Sequence, residues 1–409
     1  VVDDIDVLNW LDATDTVKPA FQPTVSTSTL TSSEVSGISF EITREVLLHL
    51  LNKVMPVVPT RDIIPVLTNF QFNLREDELE IVASNSYVSM VVSTAQVDVK
   101  SVGTDVFSAR TFLNVIKETN AGETIFVEVT ATGLTIVAGS FSTELRMTSG
   151  TDFPVMDDIS DITFHAVNRE AFAEAVSTVK YALPNRDYSG VSSLKMINIK
   201  GGKFTVCDGS RFQQVRIPEF RLNMKIPANS ISILTKMLAG SDQEILEIGE
   251  TQNRLVFKLQ NTVLFINKML DPYPNVEQLW LRPALANDQK LEVNRNELIT
   301  ALKQIKTSVD STSNAIGIML NSDSLTLVTR NAVSKSEVSI GCSWGGKPRN
   351  IVINLIHLAQ MLQVYTQPEC VFMLGQDSKT NKSPILLKDE ETLAIATIPQ
   401  MVASFSGLC

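Results

Sequence analysis

SPILLKDEETLAIATIPQM, residues 383–401, is an apolar run, a charged turn, a second apolar run and an abrupt stop at Pro399. That is the pattern of a β-hairpin whose second strand ends at a residue unable to donate a ladder hydrogen bond. Two earlier stretches close in the same way, GSFSTELRMTSGTDFP at Pro154 and NTVLFINKMLDPYP at Pro274. Three strand-to-proline endings at wide, nearly even spacing predict one unit built three times.

The chain upstream of each ending supports the repeat. In the first, ISFEIT precedes an amphipathic helix, REVLLHLLNKVM, with Val46, Leu47, Leu50, Leu51 and Val54 on one face. Three strand-like segments follow, then a second helix, ARTFLNVIKET, then three more strands. The second block repeats this order with the helices NREAFAEAVSTVKYAL and NSISILTKML, and the third with NELITALKQIKTSV and NLIHLAQMLQVY. Equivalent points lie about 125 residues apart, too far for a solenoid and right for whole domains. The expected fold is α+β, three tandem similar domains of two helices on antiparallel sheets, spanning 38–158, 159–284 and 285–402. Residues 1–37 form an acidic and Ser/Thr-rich tail, expected to be flexible, and 403–409 a C-terminal extension.

Composition sets limits. The 409 residues are 44% apolar and 20% charged, ordinary for a soluble globular protein, and no apolar run reaches the ~18 residues of a membrane span. The start, VVDDIDVLNW, lacks the basic and apolar parts of a signal peptide, so a cytoplasmic location is expected. Cys207, Cys342, Cys370 and Cys409 are scattered without CxxC spacing and are expected as reduced thiols. His49, His165 and His357 have no ligand-spaced companions, so neither a metal nor any other cofactor is expected.

Catalytic chemistry has no visible carrier. GCSWGGK, residues 341–347, matches the first seven positions of a P-loop, but Pro348 stands where the magnesium-binding hydroxyl belongs. No GxSxG, HExxH or dinucleotide fingerprint occurs. The expectation is a binding protein, not an enzyme. The net charge of −10 argues against nucleic acid on average, yet Lys53, Lys117, Lys236 and Lys303 sit on predicted helices, with Arg110 and Lys306 flanking two of them. These are either ordinary solvated helix faces or, if the domains curve so that the helices face one hole, a positive lining that neutralises phosphates without reading bases.

Several segments resemble the bacterial DNA polymerase III beta subunit, the sliding clamp family. PTRDIIPVLTNF is similar to the family's Arg-x-x-x-Pro-Ile-Leu-x-Asn segment at Arg61, Pro65 and Asn69. FSARTFLNVIK, TDFPVMDDI, CDGSRF, KMLAGSDQEILEIG, DPYPNVEQL and the closing PILLKDEETLAIATIPQM follow in the family's order across about 90% of the chain. The resemblance implies a head-to-tail homodimer, a ring around duplex DNA held without sequence preference. It also implies a cleft between the second and third domains for short peptides of the polymerase and clamp loader. Its cleft positions fall on Gly209, Arg211, Phe212, Pro274, Gln278, Leu279, Leu302, Asn354, His357, Ile385, Ala396, Thr397, Ile398, Pro399 and Met401. Arg61 and Arg186 match its DNA contacts, and the strand around Leu145 is expected to meet the helix around Leu298 of another copy. Departures occur at Ser210 and His357, where the family has histidine and tyrosine, and in TIPQMV near the end. Such divergence fits a clamp carried by a phage or mobile element. A ring scaffold that kept the fold but not DNA sliding is the alternative.

Overall fold

The computed structural model describes residues 37–130, 133–146, 153–184, 190–331, 333–375, 384–389 and 392–396. The expected N-terminal tail and C-terminal extension lie outside them, except for Gly37. Seven α-helices are found among the described residues: α1 (Arg44–Val54), α2 (Ala109–Glu118), α3 (Arg169–Val179), α4 (Ile231–Ala239), the short α5 (Arg282–Leu285), α6 (Arg295–Ile305) and α7 (Leu355–Val364). None is long and apolar enough to cross a membrane.

Each repeat is built on two four-stranded half-sheets; Asp98–Ser101 adds a further strand beside Ser39–Thr43 in the first repeat, and Ser343–Trp344 adds one beside Gln289–Asn294 in the third. In the first, Ser39–Thr43 pairs with Thr124–Val129, which leads through Leu134–Ala138 to Phe141–Leu145. The other half runs Gly103–Ser108, Asn69–Leu74, Leu79–Ser84, Val88–Thr94. The strand before the second helix of each repeat, Gly103–Ser108, Met224–Pro227 and Arg349–Asn354, is an addition to the order expected from sequence. GTDVFS and MKIP have too little alternation to announce a strand; pairing to Asn69–Leu74 and Met196–Lys200 decides them.

The half-sheets fuse across the repeats. Thr262–Asn267, which ends the second repeat, pairs antiparallel with Val88–Thr94 of the first and completes an eight-stranded sheet. Thr392–Ala396, the closing strand of the hairpin expected at 383–401, pairs with Arg211–Arg216 of the second repeat in a nine-stranded sheet. Contact therefore divides the chain differently from sequence. One compact unit joins the first repeat to Ser232–Lys268, and the other joins Ser192–Ile231 to the residues from Met269 onward.

Within each repeat the apolar helix faces fill the core. Leu47, Leu50, Leu51 and Val54 of α1 and Phe112, Leu113 and Ile116 of α2 are buried. In that core Phe72 lies 4.9 Å from Phe107 and 5.2 Å from Phe112 between ring centroids. Phe172, Phe204 and Phe220 form a corresponding cluster in the second repeat.

One polar device recurs three times. The first residue of α1, α3 and α6 is an arginine, and each side chain donates to the last turn of the repeat's second helix: Arg44 to the Lys117 carbonyl at 2.9 Å, Arg169 to Leu238 at 3.0 Å and Arg295 to Leu362 at 3.0 Å. A cation at a helix C-terminus satisfies orphan carbonyls and opposes the negative end of the dipole. The repeated arginine ties the two helices of every repeat together.

Candidate functional site

The second and third repeats meet at the turn Cys207–Asp208–Gly209–Ser210–Arg211. Asp208 Oδ1 accepts the backbone N–H groups of Ser210 and Arg211, both at 2.8 Å, and Oδ2 accepts Arg211 Nε at 2.8 Å. Gly209 takes φ +85°, a left-handed conformation that a side chain would oppose. The folded turn aims Arg211 at α7, where it donates to the Gln360 side chain. Its guanidinium carbon also sits 5.8 Å from the Tyr181 ring centroid, and the Tyr181 hydroxyl donates to Gln213 Oε1 at 2.5 Å. The Arg211 and Asp208 side chains are only 7% and 12% exposed, so the pair and its hydrogen bonds form a largely dehydrated network.

Strand register adds the closing hairpin. Ala396 stands opposite Arg211 on one side and Ile385 on the other, so these three positions lie in line across neighbouring strands. Phe212 and Ile385 are buried. Asn354 caps α7 by accepting from Ile356 N at 2.9 Å and His357 N at 3.2 Å, which orients His357 in the first turn. Burial, with the Arg211 charge second, pushes His357 down to about 4, partly opposed by Asp208.

Other expected cleft residues are placed differently. Pro274 lines a concavity of about 730 Å³ with Lys203, Thr205 and Tyr273. Tyr273 lies beside Cys207, whose thiol burial raises to about 12, so this concavity adjoins the Asp208 turn. Gln278 and Leu279 are exposed in the π-helical segment Glu277–Leu281. Leu302, like Leu298, is buried in the third repeat's core, in the same cluster as Ile385. Thr397, Ile398, Pro399, Met401 and Arg186 lie outside the described residues. Asp208, Gln360, Tyr181 and Gln213 were not singled out from the sequence. Only Asp208 carried a signal there, as an Asx residue three before an arginine in a glycine turn.

The expected cations divide into two groups. Arg61, Arg110, Lys117, Lys303 and Lys306 are exposed, as is Lys236, and Arg110 donates to Thr60 at 3.2 Å, which ties it to the segment carrying Arg61. Lys53 of α1 is half-buried and donates to Asn261 at 3.4 Å; it shares a cavity of about 250 Å³ with Lys236 of α4.

His357 provides a titratable check on the cleft. Its pKa is depressed from the ordinary 6.5, so the folded state favours neutral imidazole and binds fewer protons than the unfolded chain between pH 6.5 and about 4. Its contribution is complete above pH 6.5 and is lost as pH falls through that window. After allowance for partial exposure the loss is on the order of 1 kcal/mol. Thermal melts of His357→Gln should fall less steeply than wild type between those pH values, and identical slopes would refute the placement.

The chain is similar to known proteins in sequence and in fold. The family model of the DNA polymerase III beta subunit, N-terminal domain, matches residues 38–157. The beta sliding clamp of Chlamydia muridarum is 24% identical over 354 residues, 83% of this chain and 93% of that one. That of Pseudomonas aeruginosa is 21% identical over 371 residues, 88% of this chain and 99% of the relative. In fold, the chain is similar to the crystal structure of a DnaN sliding clamp from Bartonella birtlesii bound to griselimycin, with TM-score 0.80 and 20% identity over 89% of this chain and all of that one. The C. crescentus beta sliding clamp gives TM-score 0.82 at 18% identity with the same coverage. The N-terminal part of the chain thus matches the beta subunit family model, and most of its length is similar in sequence and in fold to bacterial beta sliding clamps.

Proposed function

We propose that the protein is a DNA sliding clamp, two copies closing head to tail around duplex DNA and tethering a replicative polymerase and a clamp loader by short peptides. The observation that carries this reading is where the sheets end. Two repeat joints are made by pairing a last strand with the third strand after the first helix of the preceding repeat. A third set of the same two strands is left over. Phe141–Leu145 is an edge of the five-stranded sheet, and Lys335–Gly341 is an edge of the four-stranded sheet. Open edges of this kind pair with another chain or need protection, and a second copy supplies the missing partner at both ends.

The repeats also supply the register. The turns that open the third strands close with Asn85 N donating to Val88 O, Asp208 N to Arg211 O and Asn331 N to Ser334 O, so Val88, Arg211 and Ser334 are equivalent. Ile266 faces Val88, and Ala396 faces Arg211. Counting from the preceding hairpin turns, Leu145 is the equivalent of Ile266 and Ala396. Leu145 of one copy therefore meets Ser334 of the other, Glu144 meets Lys335, and Phe141 meets Val338. The joint assigned here rests on the strand Lys335–Gly341 and not on Leu298, whose side chain is occupied in its own core.

A closed ring holds DNA topologically, so sparse phosphate contacts suffice and a net charge of −10 is no obstacle. The Asp208–Arg211 turn, His357 and the closing hairpin provide the walls and polar anchors for a peptide. The decisive measurement is retention after loading on closed circular DNA, with light scattering for the dimer. Retention on circles and rapid loss on linearising is expected. A stable monomer at micromolar concentration, or equal loss from both DNA forms, would overturn the reading. A dimer that never stays on circles would instead mark a scaffold.

A further inference from the structure

The three repeats permit an internal comparison of charge at equivalent helix positions. Counted from the first residues Arg44, Arg169 and Arg295, the tenth position of the first helix is Lys53 in the first repeat, Thr178 in the second and Gln304 in the third. The sixth is His49, Glu174 and Thr300. In the second helices, counted from Ala109, Ile231 and Leu355, the sixth residue is Asn114, Lys236 and Gln360. Lys53 and Lys236 thus come together at one repeat joint, that of α1 with α4. At the corresponding joint of α3 with α7 their places are taken by Thr178 and Gln360.

Their surroundings sharpen the contrast. The cavity of about 250 Å³ at the first joint is lined by His49, Lys53 and Lys236 over an apolar floor that includes Met90 and Met237, and no carboxylate lines it. Glu45 borders the groove alongside, where its carboxylate accepts the Gly122 N–H at 2.8 Å. The concavity at the second joint carries Glu174, Glu219 and Asp389 beside Arg216 and Lys388. Lys53 has lost part of its hydration, and burial lowers its pKa; its described partner is the neutral Asn261 side chain. A partly dehydrated ammonium in an acid-free concavity is stabilised by an incoming anion.

We propose that the joint of α1 and α4 is the clamp's principal phosphate-binding site, with Lys53 and Lys236 converging on the DNA backbone and the equivalent joint of α3 and α7 contributing little. This rests on the clamp reading. The grip on the duplex is consequently uneven around each protomer, because the two cations at the joint of the first two repeats face no carboxylate in their cavity, whereas the two at the next share theirs with three.

The test is the salt dependence of binding a short fluorescein-labelled duplex to the full-length dimer, read by anisotropy. Each phosphate contact contributes about 0.9 to the slope of log affinity against log salt. Lys53→Gln with Lys236→Gln should lower that slope by about 1.8 for each protomer engaged and weaken low-salt binding roughly tenfold. Arg216→Gln with Lys388→Gln should leave the slope unchanged, and Lys53→Arg with Lys236→Arg should restore it. An unchanged slope in the lysine-to-glutamine variant, or an equal fall in the Arg216 and Lys388 variant, overturns the proposal while the clamp reading stands. Absence of duplex binding by the wild type overturns both.

Discussion

Glu144→Lys is expected to dissociate the dimer, and Lys335→Glu to do the same, whereas the two changes in one chain restore it. Glu144 lies on the edge strand Phe141–Leu145 and Lys335 opens the edge strand Lys335–Gly341. The register transferred from the internal joints sets them directly opposite each other across the proposed ring joint. Lys335 also reaches Glu337 at 3.7 Å, an exposed contact it can share with a second carboxylate. Opposite charges across an antiparallel pair contribute ~0.2–1 kcal/mol, and like charges cost a similar amount. A two-copy ring has the joint twice, so each reversal costs about 2–3 kcal/mol, roughly a 30- to 150-fold weaker dimer. Analytical ultracentrifugation of the two single variants and the double variant reads this directly. If the singles remain as tightly dimeric as wild type, or the double fails to recover, the register is wrong.

The second large effect is expected at the cleft. Asp208→Ala leaves Arg211 nearly buried with its countercharge gone, keeping only Gln360 and the Tyr181 ring. Breaking one partner of a buried pair costs about 3–5 kcal/mol, because the remaining charge keeps its dehydration penalty. The melting transition should fall by roughly 6–12 °C for the low end of that range. Asp208→Ala combined with Arg211→Met should recover at least half of the loss, since an apolar side chain of similar length carries no such penalty. Arg211→Met alone should also raise the His357 pKa from about 4, because the guanidinium is one of the two influences holding it down. An NMR titration that finds His357 unmoved would separate Arg211 from the histidine and dissolve the network.

The two experiments probe features that were unequally visible in the amino-acid sequence. The repeat was plain. Prolines 154, 274 and 399 and the helix periodicity of REVLLHLLNKVM and its counterparts are local signals, set by missing donors and by 3.6-residue spacing. The turn at Asp208–Arg211 was likewise visible as a motif, and the hairpin at 383–401 was readable as two strands and a charged bend. Less visible were the short strands Gly103–Ser108 and Met224–Pro227, which owe their conformation to a partner strand more than to their own residues.

By itself, then, the sequence determined three α+β repeats, their order of helices and most strands, and the absence of a recognisable catalytic motif. These follow from short-range chemistry that each segment carries with it. Only the tertiary structure decided that sheets cross the repeat boundaries, that Arg211 of the second repeat is held by Gln360 of the third, and that Lys53 meets Lys236. Those contacts join residues far apart in the chain, and no periodicity or spacing encodes which strand edge another strand will choose. The same distinction governs the closing hairpin. Its strands were evident from alternation and a proline, but its place beside Arg211–Arg216 depended on an open edge that only folding of the second repeat creates.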